Sequence, residues 1–316
     1  MKRCGLLGEK LGHSYSPAIH AELADYDYRL YEVAPEKLGE FLKDGEFDGL
    51  NVTIPYKKAV IPYCAALSPI AQKLQSVNVL VRRADGTLYG DNADAYGFDA
   101  MVKASGISVE GKKALVLGSG GASATVCAVL NELRARSVTV ISRSGEDNYG
   151  NLDRHADAEI IVNTTPVGMY PNCGVSPVDL RQFPRLAGVL DIVYNPARTA
   201  LVMQAEALGI PYMSGLYMLV AQAKRTAEVF EGHAILGSET ERIWKKLGCE
   251  MQNIVLIGMP GSGKSTVAAR LAEALDRVAL DSDAEIEERN GASCASLIER
   301  NGEAAFRRPG RSRPRA

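Results

Sequence analysis

The stretch LVLGSGGASATVCAVL, residues 115–130, decides the fold. It runs from an apolar strand through a glycine turn into a helix. Gly118 and Gly120 occupy the first two positions of a G-x-G-x-x-G pattern, and Ser123 stands at the third. Small residues there permit a tight turn and a close backbone approach. The first turn of the following helix offers free N–H groups and a partial positive charge to a pyrophosphate. The same residues also suit a plain glycine turn in an α/β domain, and the turn alone does not separate the two readings.

The flanking sequence narrows the choice. KALVL (113–117), SVTVI (137–141), EIIVN (159–163) and VLDIV (189–193) are short, apolar and rich in β-branched residues. ASATVCAVLNELRAR, between the first two, has helical spacing. Such alternation predicts a parallel sheet with helices on both faces. The second strand ends in ISRSGED, about 20 residues past the glycines, where a site for a free ribose 2′-hydroxyl usually carries an acid. Ser142, Arg143 and Ser144 stand there instead. A guanidinium suits a 2′-phosphate, which an acid would repel; a solvated loop arginine is the plainer alternative.

At 316 residues the chain has room for two or three domains. A net charge of -2 and an apolar fraction of 46% show no overall bias toward nucleic acid or membrane. The six cysteines contain no C-x-x-C pair, which argues against a zinc site and a disulfide framework and fits a reducing cytosol. MKRCGLLGEKLGHS lacks the apolar core of a signal peptide, and the uncharged runs near 114–131 and 160–178 are broken by Gly, Ser, Asn and Pro. A cytoplasmic protein without a membrane span is expected.

Residues 1–102 read as a separate α/β unit. FDGLNVTI (47–54) predicts a strand, and Pro55 suits the first position of a helix. Lys57 would then lie in the first helical turn, where a cation is disfavoured and its proton affinity falls toward acid–base use; the alternative is a solvated surface lysine. In GEKLGHSYSPAIHAEL (8–23), Ser14 and Ser16 precede or open a helix at Pro17 and either bind a carboxylate or hydroxyls or cap that helix. LYMLVAQAKRTAEVF (216–230) has the spacing of a helix with one buried face. The charged stretch SETERIWKKLGCEMQ (238–252) then leads to a fresh strand, NIVLI, with a boundary near 250.

Residues 1–248 resemble the shikimate dehydrogenases over close to that family's whole length. GHSYSPAIH, GLNVTIPYKKAV, SVNVL, YGDNADAYGF, VLGSGGAS, NTTPVGMYP, DIVYNP and SGLYMLVAQA carry the resemblance, in family order and spacing. It implies a two-domain α/β dehydrogenase. Residues 1–102 would form the substrate domain, with helices from 226–248 packing back on it, and residues 103–225 a Rossmann NADP domain. It also implies reversible NADPH-dependent reduction of 3-dehydroshikimate, with quinate as the alternative substrate type.

The family's roles then fall on particular residues. Lys57 matches the catalytic lysine and Asp94 its carboxylate partner. Ser14, Ser16, Thr53, Asn78 and Gln222 match substrate ligands, and Tyr194 sits where a tyrosine contacts the carboxylate end. Gly118, Ser119, Gly120, Gly121 and Ala122 match the pyrophosphate loop, and Ser142, Arg143 and Ser144 the segment that reads the 2′-phosphate. Ile192 is a further cofactor contact, and Gly215 lies where the family's backbone approaches the nicotinamide. No metal is implied. Ala93 departs from the usual Thr, which would remove one hydroxyl near the site; Ser-Arg-Ser replaces Asn-Arg-Thr, and QSVNV replaces Gly-Ala-Val-Asn-Thr.

Farther on, GMPGSGKS (258–265) matches G-x-x-x-x-G-K-[ST] in full, expected after a strand and before a helix that buries Val267, Ala268, Leu271 and Leu275. Gly258, Gly263 and Lys264 would cradle phosphates, with Ser265 on magnesium. Residues 279–308 resemble the first third of shikimate kinases. Asp281 and Asp283 match a pair of aspartates on the metal and shikimate sides, and Arg307 an arginine for the shikimate carboxylate. RRPGRSRPRA (307–316) reads as a disordered tail. The expectation is an incomplete P-loop kinase-like segment over 252–316, with little core and no kinase turnover. ATP with magnesium stays open as a ligand, as do a bifunctional enzyme completed by another chain and a nucleotide-sensing regulator. Nucleic acid is not an expected partner, and the oligomeric state leaves no signature.

Overall fold

The computed structural model describes residues 1–12, 14–259 and 261–302. Residues 1–252 form one compact unit, and a second begins at Asn253. No helix among the described residues is long and apolar enough to cross a membrane.

The first unit opens with β1 (Arg3–Gly8), α1 (Ser16–Leu23), β2 (Asp27–Glu32), α2 (Leu38–Asp44) and β3 (Gly49–Val52). Then come β4 (Cys64–Leu67), α3 (Pro69–Leu74), β5 (Val79–Arg82), β6 (Leu88–Asp91) and α4 (Ala93–Ser105). The strands form a six-stranded sheet in the order β2-β1-β3-β5-β6-β4. β5 runs antiparallel to both of its neighbours, and the other pairings are parallel. The carboxyl ends of β1, β3 and β6 and the amino end of β5 therefore share one rim.

A second sheet comprises β7 (Lys113–Leu117), β8 (Ser137–Ile141), β9 (Ile160–Asn163), β10 (Gly188–Asp191) and β11 (Tyr212–Ser214), with α5 (Gly121–Glu132) and α6 (Ala200–Ala207) as crossovers. It is wholly parallel, in the order β11-β10-β9-β7-β8. Ala114 and Val116 of β7 pack with α4 and α5 residues such as Phe98 and Val129, while Leu115 and Leu117 pack on the other face with Leu201 and Ala205. Burial on both faces explains why these strands read as continuous apolar runs. Short single turns at Leu152–His155 and Leu180–Gln182 stand where full helices would follow β8 and β9.

α7 (Leu216–Glu231) and α8 (Ser238–Glu250) complete the unit. α7 crosses α4 at close range: a Cβ on Gly97 would lie 2.8 Å from the Met218 carbonyl oxygen and 2.8 Å from Gln222 Cβ. Its other faces bury Ala227 and Phe230 beside Val79, and Val220 and Ala223 beside Ile243 and Leu247 of α8.

The helix expected at Pro55 does not form. Residues 54–60 are a run of turns, and the Ile54–Pro55 peptide is cis. The cause is tertiary: the Lys57 carbonyl accepts from Val77 N–H at 2.8 Å, and Ile61 N–H goes to Lys58 O, so the helical ladder stops at the single rung from Val60 N–H to Tyr56 O. Lys57 therefore lies in a turn and not in the first turn of a helix.

An aromatic cluster under the first sheet has a consequence for pH. His20 is buried, stacks on Tyr28 with ring centroids 4.1 Å apart, and bonds through Nδ1 to the Tyr26 hydroxyl. Burial pushes its pKa down from 6.5 to about 3. Between those values the unfolded chain binds a proton that the native chain refuses, so stability is complete above pH 6.5 and declines as pH falls toward 3. Acidification from about pH 7 to 5 should remove about 2 kcal/mol through this residue. Urea unfolding at both pH values, with His20→Gln as a comparison, measures it; an unchanged slope in the variant would exclude His20 as the cause.

In the second unit the described elements are α9 (Lys264–Leu275), α10 (Ser282–Asn290) and α11 (Cys294–Asn301). Two expectations fail here. NIVLI is not a strand among the described residues, and Ile254, Val255 and Ile257 are exposed. Val267 and Leu275 of α9 are exposed as well, and Ala268 and Leu271 are only half-buried. An apolar run becomes a strand by pairing its N–H and C=O groups with a neighbour, and a helix face is buried only against a partner layer. The described residues of this unit include no strand to supply either.

Candidate active site

On the rim of the first sheet, Lys57 follows β3 and Asp94 opens α4 after β6. The Lys57 ammonium donates to Asp94 Oδ2 at 2.6 Å, with side-chain exposures of 30% and 18%. Asp94 lies in the first turn of α4, where the helix dipole favours a carboxylate. That turn is held firmly. Asn92 caps it by accepting from Ala95 N–H at 3.3 Å, and donates through Nδ2 to Ser76 O at 3.0 Å. Asn78, at the amino end of reversed β5, accepts from Ala93 N–H at 2.7 Å, leaving its NH2 group as the part able to face a substrate.

The remaining candidates border the same rim. Thr53 N–H donates to Leu7 O at 2.9 Å, tying the end of β3 to β1. Ser14 Oγ accepts from Ser16 N–H at 3.2 Å, a local capping role that leaves its own O–H free to point elsewhere. Tyr194, from the loop after β10, meets Tyr15 edge-to-face at 6.0 Å and so approaches these serines from the second sheet. Gln222 is half-buried. Its backbone carbonyl accepts from Thr226 Oγ1, which accepts from Asn51 Nδ2, whose oxygen accepts from the Tyr28 hydroxyl. This chain of bonds ties α7 to β3.

Ala93 corrects an expectation. It is buried among Cys4, Tyr26, Val79, Ala227 and Phe230, so the methyl group faces apolar core and its replacement of Thr takes no hydroxyl from the rim.

The second sheet builds a cradle. β7 lies at the point where the strand order reverses, between β8 and β9, and the crevice outside such carboxyl ends is the common ligand position in α/β sheets. Gly118 has φ +100°, and a Cβ there would lie 2.7 Å from Thr165 Cγ2. Gly120 and Gly121 differ: nothing lies within 4 Å of an added Cβ at either. No described residue requires their lack of a side chain; it keeps the N-terminus of α5 open, which fits a pyrophosphate. Ser119 and Ala122 flank them, with Ser119 exposed. Gly118 N–H donates to Ile141 O at 2.8 Å, placing Ser142, Arg143 and Ser144 beside the cradle, with Arg143 and Ser144 exposed. At the far side Gly215 lies against Ile192: a Cβ would fall 2.1 Å from the Ile192 carbonyl oxygen.

Sequence reading missed a buried network under this cradle. Asn163 Nδ2 donates to Asp191 Oδ1 at 2.9 Å, and Thr199 Oγ1 to Asp191 Oδ2 at 2.6 Å. Asn163 Oδ1 accepts from Thr165 N–H and Oγ1, which shapes the turn that faces Gly118. Burial raises the Asp191 pKa, opposed by the bonds from Thr199, Val193 N–H and Asn163. The quoted NTTP and DIVYNP segments contain Asn163, Thr165 and Asp191, but only adjacency of β9 and β10 brings them together.

In the second unit, Lys264 Nζ donates to the carbonyls of Gly258 and Met259 at 2.9 and 2.8 Å. Gly263 precedes α9, and Ser265 Oγ lies 3.4 Å from Asp281 Oδ2. Asp281 caps α10 by accepting from Asp283 N–H. Arg307 lies outside the described residues.

The family model described as the shikimate dehydrogenase substrate binding domain matches residues 6–80, and that for shikimate kinase matches residues 260–312. Shikimate dehydrogenase (NADP(+)) from Clostridium perfringens (strain SM101 / Type A) is 35% identical over 270 residues, spanning 79% of this chain and 99% of the relative. A solved chorismate mutase/shikimate 5-dehydrogenase fusion protein from Clostridium acetobutylicum gives a TM-score of 0.76 at 33% identity, covering 80% of this chain and 99% of that one. Shikimate 5-dehydrogenase from Thermus thermophilus, in complex with NADP(H) and shikimate, gives 0.70 at 31% identity, covering 78% and 99%.

Proposed function

The chain belongs to the shikimate dehydrogenase family, and on that premise we propose that Lys57, held by Asp94, handles the proton in its reaction. That reaction is the reversible NADP-dependent reduction of 3-dehydroshikimate to shikimate. The reading rests on the 2.6 Å contact between Lys57 and Asp94 at the open rim.

Bound NADPH supplies the hydride. As negative charge builds on the ketone oxygen, the Lys57 ammonium stabilises it and donates the proton; in the reverse direction the amine takes the proton back. Asp94 keeps the ammonium aimed at one place. Ser14, Ser16, Thr53, Asn78 and Gln222 supply neutral hydrogen-bonding groups for a hydroxylated ring, and Tyr194 serves its carboxylate end. Ser119 to Ala122 hold the pyrophosphate on backbone N–H groups, Arg143 with Ser142 and Ser144 takes the 2′-phosphate, and Ile192 with Gly215 walls the nicotinamide side. Kinase turnover is no part of this proposal.

Steady-state assays with shikimate or quinate, each with NADP or NAD, test the assignment. Shikimate with NADP should give the highest kcat/KM, at least roughly tenfold above NAD, the scale of one lost phosphate contact. Equal use of the two cofactors would reject Arg143 as a 2′-phosphate ligand, and preference for quinate would move the substrate reading to that acid.

A further inference from the structure

The loop that leaves β8 is stitched to itself. Ser142 N–H donates to Asp147 O at 3.2 Å, and Ser142 bridges Asn148. Asn151 Nδ2 donates to Glu146 O at 2.8 Å, and Asn148 N–H donates to Asn151 Oδ1 at 2.8 Å. Gly145 folds against Ser142, where a Cβ would lie 2.6 Å from the hydroxyl oxygen. The result exposes Arg143 and Ser144 beside the glycine cradle.

One side chain reaches this loop from below. His155 ends the turn that Leu152 anchors in the core beneath β7 and β8, and its Nε2 lies 2.7 Å from Asp147 Oδ1. The ring is buried, and its Nδ1 is the one buried side-chain nitrogen or oxygen without a hydrogen-bond partner among the described residues. An orphaned polar atom calls for a reason, because an apolar side chain would fill the space without it. The reason lies on the other nitrogen: Nε2 is the ring atom that meets Asp147, and the ring is held there at the expense of Nδ1.

We infer that His155 is a positioning residue for NADP recognition, clamping Asp147 so that the Ser142–Asn148 loop keeps Arg143 presented to the 2′-phosphate. The inference rests on the reading of Arg143 given above. Charge supports it. Glu146 and Asp147 lie within four residues of Arg143, and a free carboxylate there competes with a phosphate for the guanidinium. The His155 bond occupies Asp147 at the base of the loop.

Kinetics of His155→Ala, His155→Gln and Arg143→Ala test this, with both NADP and NAD. His155→Ala should raise KM for NADP roughly tenfold, a loss of ground-state binding, while kcat at saturation, KM for shikimate and KM for NAD hold. His155→Gln, whose amide N–H can reach Asp147, should restore most of the NADP preference. An unchanged NADP/NAD ratio in His155→Ala, beside a collapsed ratio in Arg143→Ala, would overturn the clamp but keep the loop reading. An unchanged ratio in Arg143→Ala would overturn both. Equal losses with NADP and NAD, unrestored by glutamine and matched by a lower unfolding midpoint, would reduce His155 to a packing residue and also overturn the inference.

Discussion

Replacing Lys57 with alanine should lower kcat for 3-dehydroshikimate reduction by roughly 10³-fold, within the range of a lost general acid, while NADPH binds with its wild-type Kd. The chemistry loses its proton donor and keeps Asp94, whose charge now opposes the developing oxyanion. Adding Asp94→Ala to Lys57→Ala should therefore cost little more, because the two act as a unit. The fold should survive. Asp94 sits at the start of α4, where the dipole accommodates an unpaired carboxylate, and the residues proposed to read NADP lie on the other sheet. Stopped-flow reduction and NADPH fluorescence titration separate the two effects; a kcat within roughly tenfold of wild type would remove Lys57 from the chemistry.

Gly97→Ala should destabilise the protein by about 1–3 kcal/mol, the usual range for overpacking. Helix propensity points the other way, favouring alanine by about 1 kcal/mol. Geometry decides between them: the added methyl would lie 2.8 Å from the Met218 carbonyl oxygen and 3.2 Å from Gln222 N, both backbone atoms of the facing helix. Neither can rotate away, so α4 and α7 must separate. Asp94 stands one turn before Gly97, and Gln222 lies on α7 at the contact itself. A displacement of about 1 Å at such groups costs roughly 10²-fold in rate. Thermal unfolding should show Tm lower by several degrees, at about 2–4 °C per kcal/mol, with kcat reduced alongside. A raised Tm would mean that the helices yield without strain.

Legibility followed the range of the interaction that makes each feature. The glycine cradle was readable because strand, turn and helix are consecutive, and each β-branched run was readable because both faces of the parallel sheet are buried. Lys57 and Asp94 are 37 residues apart and meet only through the β3-β5-β6 pairing, so residue patterns left Lys57 open and the family resemblance supplied the partner. The turn at 54–60 was misread as helix because the bond that prevents it comes from Val77. Ala93 was misread as a loss at the site because its direction depends on Phe230 and Ala227, far along the chain. NIVLI failed for a related reason: an apolar run states a capacity to pair, and a partner strand has to meet it.

Reversed β5 constrains how this enzyme can change. Val79 packs on one face of its sheet and Leu80 on the other, and Asn78 stands immediately before them. A slip of one residue would exchange the two faces and carry Asn78 off the rim together with the bond that starts α4. Substrate preference is thus free to drift by exchange of single side chains in the loops after β1 and β3, which leaves both the ladder and the Lys57–Asp94 contact intact. Through β5 it is locked, since any indel there dissolves the architecture before it can retune the chemistry.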